Sequence, residues 1–236
     1  MRSGKLRYIL FISALAACSL AGGIIFKEKA FSWALMSAAI LIIAVFFAVF
    51  EETETSSGDI AALAFLTALS VTGRIAFAAV PSFKPCSAVI IIAGIYFGSQ
   101  KGFAVGALTA LVSNFYFSQG VWTPFQMVIW GLTGFFAGVF RERLVKGRLA
   151  APVFGFAAGI VFSLFMDFWS CIWADNGFNT ARYLAMIASS AWFTLSYGVS
   201  NVVFLVLLGS PARTIFTRLR VKYGIGADFA EDAAES

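Results

Sequence analysis

The sequence predicts an all-α polytopic transmembrane helical bundle of about eight helices, and composition and apolar run length are the observations behind it. Of the 236 residues, 60% are hydrophobic and only 12% are charged, and the mean hydropathy is +0.88. These values lie far from those of soluble domains. Apolar stretches long enough to cross about 30 Å of hydrocarbon recur along the chain without the alternation of a barrel, which indicates helices.

Eight apolar segments, separated by short polar or Pro/Gly-marked breaks, define the predicted helices. They span 8–26, 31–50, 59–80, 86–98, 102–117, 124–140, 151–173 and 183–208. The fourth and fifth segments are shorter than a full span, so we expect them to be tilted or partly sunk within the bundle. The first resembles a secretory signal with a lipoprotein-like Cys18, but its length suits a whole span and favours an uncleaved helix.

The acidic stretch EETETSSGD, at 51–59, divides the chain into predicted modules. Residues 1–58 hold two N-terminal helices and the acidic linker, residues 59–210 form a six-helix core, and residues 211–236 form a cytoplasmic tail. The end of the tail, GADFAEDAAES, has too little apolar content to pack, which predicts disorder there.

Lys and Arg set the predicted orientation, because basic residues flanking membrane spans favour the cytoplasmic side. An inside N-terminus and an even number of spans place both termini on the cytoplasmic side of a bacterial cell membrane and leave Arg74 within the membrane. The predicted cytoplasmic basic residues are Arg2, Lys5, Arg7, Lys101, Arg141, Arg143, Lys146, Arg148, Arg213, Arg218, Arg220 and Lys222. The predicted outer ones are Lys27, Lys29, Lys84 and Arg182.

Two charges fall inside predicted spans, Arg74 in LSVTGRIAFAAVP and Asp167 in FSLFMDFWSC. Their helices run in the same direction, and the two residues lie at similar depths in the outer half of the membrane. A charge within a span needs a partner or a water-filled cavity. Three interpretations stay open: an Arg–Asp pair that grips a ligand, a pair that only fixes helix packing, or an Arg74 that reaches the headgroups.

The stretch SNFYFSQGVWTPFQ, at 113–126, forms the predicted outer turn between two spans. Its amides supply donors and acceptors, and its aromatic rings can cover an apolar ligand. An interfacial aromatic belt would explain the Trp and Tyr but not the amides, so binding is slightly favoured. The predicted ligand contacts or gating residues are Asn114, Gln119, Trp122, Thr123 and Gln126, with Arg74 and Asp167 as polar partners.

Small residues repeat every four positions in several helices, which predicts close approach of helix backbones. Ala64 and Ala68 form one such pair at the predicted cytoplasmic end of their helix. A second membrane protein is able to dock at that position, although the pattern by itself favours internal packing.

The sequence lacks the residues that several classes of function require. The chain has no histidine and only three cysteines, without CxxC spacing, so we expect no metal site, and Cys86 and Cys171 are expected to be free thiols rather than a disulfide. The sequence has no GxxxxGK[ST] phosphate loop and no cluster of membrane carboxylates. Binding without catalysis fits best, and no cofactor or nucleic acid is expected.

Two longer motifs extend these observations: GRIAFAAVPSFKPCSAVIIIAGIYFG at 73–98 and KGFAVGALTALVSNFYFSQGVWTPFQMVIWGLTGFFAG at 101–138. Together they resemble the substrate-binding S component of energy-coupling factor (ECF) transporters over residues 59–208, with the cobalamin-type subgroup most similar. The resemblance implies a six-helix protein that captures a vitamin outside the cell and topples to release it inside. A transmembrane coupling protein and two cytoplasmic ATPases would supply the energy, and Ala64 and Ala68 match the family's AxxxA motif that packs on the coupling protein.

The resulting functional prediction is an S component for a vitamin-class solute, with cobalamin or a corrinoid precursor favoured. Three alternatives come from other classes: a membrane enzyme acting on a lipid, a membrane scaffold or sensor, and a self-sufficient secondary carrier. Another vitamin is the alternative within the family.

Overall fold

The computed structural model describes residues 29–53 and 55–226, and in this part of the chain every regular element is a helix. The helices are α1 (Ala30–Glu52), α2 (Ser57–Ala76), α3 (Cys86–Phe97), α4 (Ser99–Phe117), α5 (Thr123–Val139), α6 (Arg141–Lys146), α7 (Ala150–Asp175) and α8 (Thr180–Tyr223). The predicted helical membrane bundle is therefore confirmed. The predicted helix 8–26, Cys18 and the end of the predicted tail, 227–236, lie outside the described residues.

Each predicted segment from 31–50 onward coincides with one helix. By length and composition α1, α2, α7 and α8 are able to cross a membrane, and α3 is a shorter apolar helix. All residues of α3 except Tyr96 are buried, so the prediction that the fourth segment is sunk within the bundle is confirmed. Because α3 is surrounded by apolar side chains, its sequence CSAVIIIAGIYF has no polar face.

Two elements differ from the sequence prediction. The helix predicted to end at residue 208 continues as α8 to Tyr223, and its 44 residues make it much longer than the hydrocarbon core. Its last turns therefore extend beyond the membrane into the segment predicted as tail. The basic loop RERLVKGR contains the short helix α6, which holds most of the loop's charged residues and is too short to cross a membrane.

Successive long helices alternate in direction, so the bundle has two ends. The Asp59 end holds the start of α2, Gly98, α6 and the chain after α8. A capping box starts α2 there: Asp59 N donates to Ser56 Oγ over 3.0 Å, and Ser56 N donates to Asp59 Oδ2 over 3.3 Å. The Arg74 end holds the end of α2 and the connections 77–85, 118–122 and 176–179.

Helices α4 and α5 pack with their backbones almost in contact. A Cβ atom on Gly134 would lie 2.1 Å from the carbonyl oxygen of Gly102, and one on Gly106 would lie 2.2 Å from that of Trp130. The prediction that the small residues of these helices serve close packing is confirmed. This seam fixes the register in which the end of α4 faces the start of α5.

Helix α1 packs on the remaining helices, mainly α4, α5 and α7. The rings of Phe46 and Phe103 stack with centroids 3.8 Å apart, and Ser32 Oγ donates to the carbonyl of Ile172 over 3.1 Å. The second N-terminal segment thus buttresses the core along its whole length.

Candidate functional site

The candidate site is a connected group of polar side chains at the Arg74 end, which we call the Arg74 network. Its members come from the ends of α2 and α4, from the connection that follows α4 and from the first turn of α5. They are Arg74, Ser113, Asn114, Gln119, Thr123 and Gln126.

Arg74 is the charged member, and only 8% of its surface is exposed. Its Nη1 donates to Ser113 Oγ and, over 2.8 Å, to Asn114 Oδ1. The guanidinium also lies 4.5 Å from the ring centroid of Phe117 and 4.9 Å from that of Trp130, within the range of cation–π attraction. Neutral groups therefore supply all the stabilisation that this buried cation receives from the described residues.

Asn114 is fully buried and joins α4 to α5. Its Nδ2 donates to Thr123 Oγ1 over 3.0 Å and to Gln126 Oε1 over 2.8 Å, while its Oδ1 accepts from Arg74. Every hydrogen-bonding position of this amide but one acceptor lone pair is in use, which fixes its orientation. Asn114 is consequently the residue through which a change at Arg74 reaches the outer turn.

The connection 118–122 closes over this amide. Thr123 Oγ1 donates to Gln119 Oε1 over 2.9 Å, and Gln119 Nε2 donates to the carbonyl of Leu111 over 2.9 Å. The indole of Trp122 makes no hydrogen bond to the described network residues; Trp122 is 39% exposed and lies against Gly120, where a Cβ atom would be 2.5 Å from the indole. The turn thus combines a hydrogen-bonded base with a half-exposed aromatic cover.

A second polar group, the Tyr197 cluster, lies below Arg74 and consists of Tyr197, Ser87 and Trp130. Trp130 Nε1 donates to the Tyr197 hydroxyl over 2.8 Å, and this hydroxyl is hydrogen-bonded to Ser87 Oγ. The cluster anchors the indole ring on which the Arg74 guanidinium rests, and it ties α3 and α8 to the site.

Lys84 brings a second cation to the same place. Its backbone is held on α8 by two hydrogen bonds, Lys84 N to Ser200 Oγ over 2.8 Å and Ser200 Oγ to Lys84 O over 3.0 Å. Its amine lies 5.1 Å from the ring centroid of Phe117, the ring that Arg74 also contacts. Burial, together with the positive charge of Arg74, lowers the pKa of Lys84 from its usual value.

The predicted pair between Arg74 and Asp167 is not formed, and that prediction is wrong. Asp167 Oδ2 accepts a hydrogen bond from Ser190 Oγ over 2.7 Å, on the neighbouring α8. The cause is packing: α2 lies against α3 and α4, whereas α7 lies mainly against α8. The burial of Arg74 also rules out the interpretation in which it reaches the headgroups.

The donors of the site outnumber its acceptors. Among the described residues, the Arg74 side chain uses only Nη1 in hydrogen bonds, and the Gln126 side chain uses only its carbonyl oxygen. Lys84 uses no side-chain donor in a hydrogen bond to the described residues. A ligand rich in acceptor oxygens would complement what the network leaves unused.

The opposite half of α2 has a different surface. Ala64 and Ala68 are both exposed, and so is Phe65 between them. Beside them an apolar cavity of about 360 Å³ separates α2 from α8 and is lined, among others, by Ala61, Leu66 and Ile215. Its lining contains no charged or amide side chain, so it lacks the groups that would orient a polar vitamin.

Candidate catalytic groups are sparse in the described ranges. Cys86 and Cys171 are free and buried, as predicted. Within residues 29–53 and 55–226, no group of three or more His, Cys, Asp or Glu side chains is close enough to hold a metal ion.

Membership of a family follows from a comparison of the chain with family models. A buried polar site between the ends of apolar helices is the arrangement of a membrane protein that binds a solute. The model described as "ECF-type riboflavin transporter, S component" matches residues 54–214, well over half of the chain. The chain belongs to this family, whose members are the substrate-binding subunits of ECF transporters, and the predicted cobalamin subgroup is not confirmed.

Comparisons with curated proteins and with solved structures find no significant match. The matched range begins just before α2 and ends within α8, so α1 lies outside it.

Sequence reasoning identifies five of the six network residues but misses Ser113 and the four residues that surround the network: Phe117, Lys84, Trp130 and Tyr197. Ser113 and Phe117 were within the stretch singled out, without a pattern to distinguish them from its other residues. The sequence indicates Lys84 only as a basic residue on the outer side. Trp130 and Tyr197 lie within apolar runs of the sequence. Their place beside the site depends on how distant helices pack together, which no local pattern shows.

Proposed function

We propose that the chain captures a vitamin-class solute at the Arg74 end and delivers it through an ECF coupling protein and two ATPases. The observation that carries the proposal is a buried arginine held by a buried amide, directly beneath a turn of amides and aromatic rings. A membrane protein retains such a costly charge where it meets a ligand or a second charge. The described residues supply no second charge of opposite sign.

The Arg74 end is predicted to face outside, because the basic residues of α6 and of the end of α8 lie at the opposite end. Capture would then take place from the exterior, with residues 118–122 as the part of the site that opens. The network is hydrogen-bonded to itself, so an entering ligand has to replace some of its internal bonds.

Riboflavin is the first ligand to test, because the matching family model is described by that vitamin. Its flat ring system would stack on aromatic side chains such as Phe117 or Trp122. Its ring carbonyls would accept hydrogen bonds from Arg74 and Gln126, while an amide oxygen accepts from its ring N–H. Affinity would come from the stacked surface and orientation from the amides.

Cobalamin is the second candidate, because the motifs in residues 73–138 resemble those of cobalamin-type S components. The many amides of a corrin ring would suit a site lined by Asn114, Gln119 and Gln126. Its larger size requires a wider opening between α4, α5 and α8 than flavin binding does.

Ala64 and Ala68 are proposed to contact the coupling protein. Their exposure on α2 supports this role, because small residues on an exposed helix face let a second helix approach closely. They lie on the half of α2 away from the Arg74 network, so docking and capture would use different surfaces.

The test of capture is calorimetric titration of the purified full chain in detergent with riboflavin, cobalamin and cobinamide. We expect saturable one-to-one binding of one of them, lost in Asn114→Ala and in Gln126→Ala. Asn201→Ala is the matched control, since Asn201 is equally buried but donates to the carbonyl of Gly155 in the α7–α8 seam. Binding that survives in Asn114→Ala, or is lost equally in Asn201→Ala, contradicts the proposed site.

The test of docking is co-purification with the coupling protein. Ala64→Trp with Ala68→Trp is expected to abolish it while ligand binding persists, and Val153→Trp, at an exposed position of α7, is the control. Absence of binding to every vitamin would favour a scaffold or sensor. Uptake by the chain in cells without a coupling protein would favour a secondary carrier, and a turnover lost in Asp167→Asn would favour an enzyme.

A further inference from the structure

We propose that the site recognises an anionic ligand, whose phosphate or carboxylate group binds between Arg74 and Lys84. The inference rests on the proposed capture function and specifies the substrate class of the same site. It predicts that a negatively charged vitamin form is preferred to its neutral counterpart.

The first argument is uncompensated charge. Neither Arg74 nor Lys84 has a carboxylate partner among residues 29–53 and 55–226, and the two acidic side chains of α7 bond to other residues: Asp167 to Ser190 and Asp175 to Arg182. Arg74 is buried and Lys84 is half-buried, and a cation removed from water without a counter-ion carries a desolvation cost that contacts with neutral groups offset only in part. An incoming anion would remove that cost at both residues.

The second argument is convergence. Arg74 from α2 and Lys84 from the connection before α3 meet at the ring of Phe117, from the end of α4. Burial, and after it the positive charge of Arg74, lowers the pKa of Lys84, which agrees with the two cations sharing one ring. An oxyanion that displaces the Phe117 ring would contact both, since the lysine stem is flexible and the guanidinium keeps unused N–H donors.

The third argument is that the other described cations in similar positions are satisfied. Lys101 is as buried as Arg74 but is paired with Asp59 over 2.8 Å. Lys29, also at the Arg74 end and also beside an aromatic ring, donates to the carbonyl of Trp173 over 2.6 Å. Arg74 and Lys84 instead share the ring of Phe117, and neither has a carboxylate partner in the described part of the chain.

Two pairs of ligands test the inference, because the members of each pair differ in a phosphate group. Riboflavin is neutral and riboflavin 5′-phosphate is a phosphate monoester, and cobinamide phosphate carries a phosphate that cobinamide lacks. Calorimetry of the full chain should show that, in the pair that binds, the phosphorylated member binds about tenfold or more tightly, as charge-assisted hydrogen bonds would give.

Three variants assign the preference to the site. Lys84→Gln should remove most of the advantage that the phosphorylated member has over its neutral counterpart, while Lys84→Arg should keep that advantage. Lys29→Gln is the matched control, because it removes a positive charge at the same end of the bundle without touching Phe117. In Lys29→Gln the affinity advantage of the phosphorylated ligand over the neutral one should equal that measured with the unmodified chain.

The outcomes separate this inference from the proposed function. Equal affinity for both members, tighter binding of the neutral member, or equal effects of Lys84→Gln and Lys29→Gln would overturn the anionic-ligand inference and leave capture intact. Absence of saturable binding by every vitamin tested, these four compounds included, would overturn the capture function and the inference with it.

Discussion

The two ends of the bundle each bury a cation, and they treat it in opposite ways. At the Asp59 end, Lys101 pairs with Asp59, whose oxygens also accept from the backbone of Ser56 and Gly226. At the Arg74 end, the guanidinium has two neutral hydrogen-bond acceptors and two aromatic rings. Lys101 has a counter-ion within the protein, whereas Arg74 has none among the described residues.

This difference separates structural charge from functional charge. A buried ion pair with all its hydrogen bonds satisfied holds elements together, here α2, α4 and the chain that follows α8. Under the proposed function, a buried cation with unused donors weakens the fold slightly and is kept for the ligand that it binds. Variants at the two ends should therefore have opposite signatures in stability and in binding.

The largest effect is expected from Lys101→Met. The change leaves the Asp59 carboxylate buried without its cation, which typically costs about 3–5 kcal/mol of unfolding free energy. Thermal unfolding in detergent measures the loss. The double variant Asp59→Leu with Lys101→Met should recover much of it, and an unaltered midpoint in Lys101→Met alone would contradict the structural role of the pair.

A smaller effect is expected in the seam that connects the two ends. Gly134→Ala forces a methyl group against the carbonyl of Gly102, and such overpacking costs about 1–3 kcal/mol. Ligand affinity should fall as well, because the seam sets Asn114 opposite Gln126. Gly209→Ala is the control, since no atom lies within 4 Å of its added Cβ; if both variants unfold at the same midpoint, the close approach of α4 and α5 is not as described.

Asn114→Asp sharpens the comparison by giving the Arg74 end the feature that it lacks. The new carboxylate would pair with Arg74, and Gln126 can turn its amide to donate to it. We expect the melting temperature to stay equal or rise, while affinity for the ligand falls about tenfold or more. An unchanged affinity, measured by calorimetry, would show that the charge of Arg74 is not used in binding.

The smallest effect is expected for Arg182→Gln. Arg182 Nε bonds Asp175 Oδ2 over 2.8 Å at the same end as Arg74, but the pair is solvent-exposed. Exposed pairs are screened and contribute little. Neither the unfolding midpoint nor the ligand affinity should change measurably, and a loss as large as that of Lys101→Met would mean that burial is not what distinguishes the charges.

The helices and their order were predictable because apolar runs and their polar breaks are local features. The family resemblance was predictable in the same way, from continuous motifs in residues 73–138. The extension of α8 to Tyr223 was missed, because the predicted end at residue 208 followed the end of the apolar run, and a helix can continue into water.

Contacts between helices were predictable only in part. Depth alone suggested a pair of Arg74 with Asp167, since two residues at one level in the membrane look adjacent when packing is unknown. The partner of Arg74 proved to be Asn114, which had been singled out for its amide and not for its neighbour. The meeting of Lys84 with Phe117 depends on the turn at 77–85, and no spacing in the sequence encodes it.

The most direct test of the account is a paired measurement of stability and affinity in Arg74→Gln. The account predicts that the variant unfolds near the temperature of the unmodified chain, because the lost cation had no counter-ion, while binding of its ligand weakens roughly a hundredfold. Binding that persists at the original affinity, or a fall in stability as severe as that of Lys101→Met, would contradict the claim that Arg74 is held for a ligand.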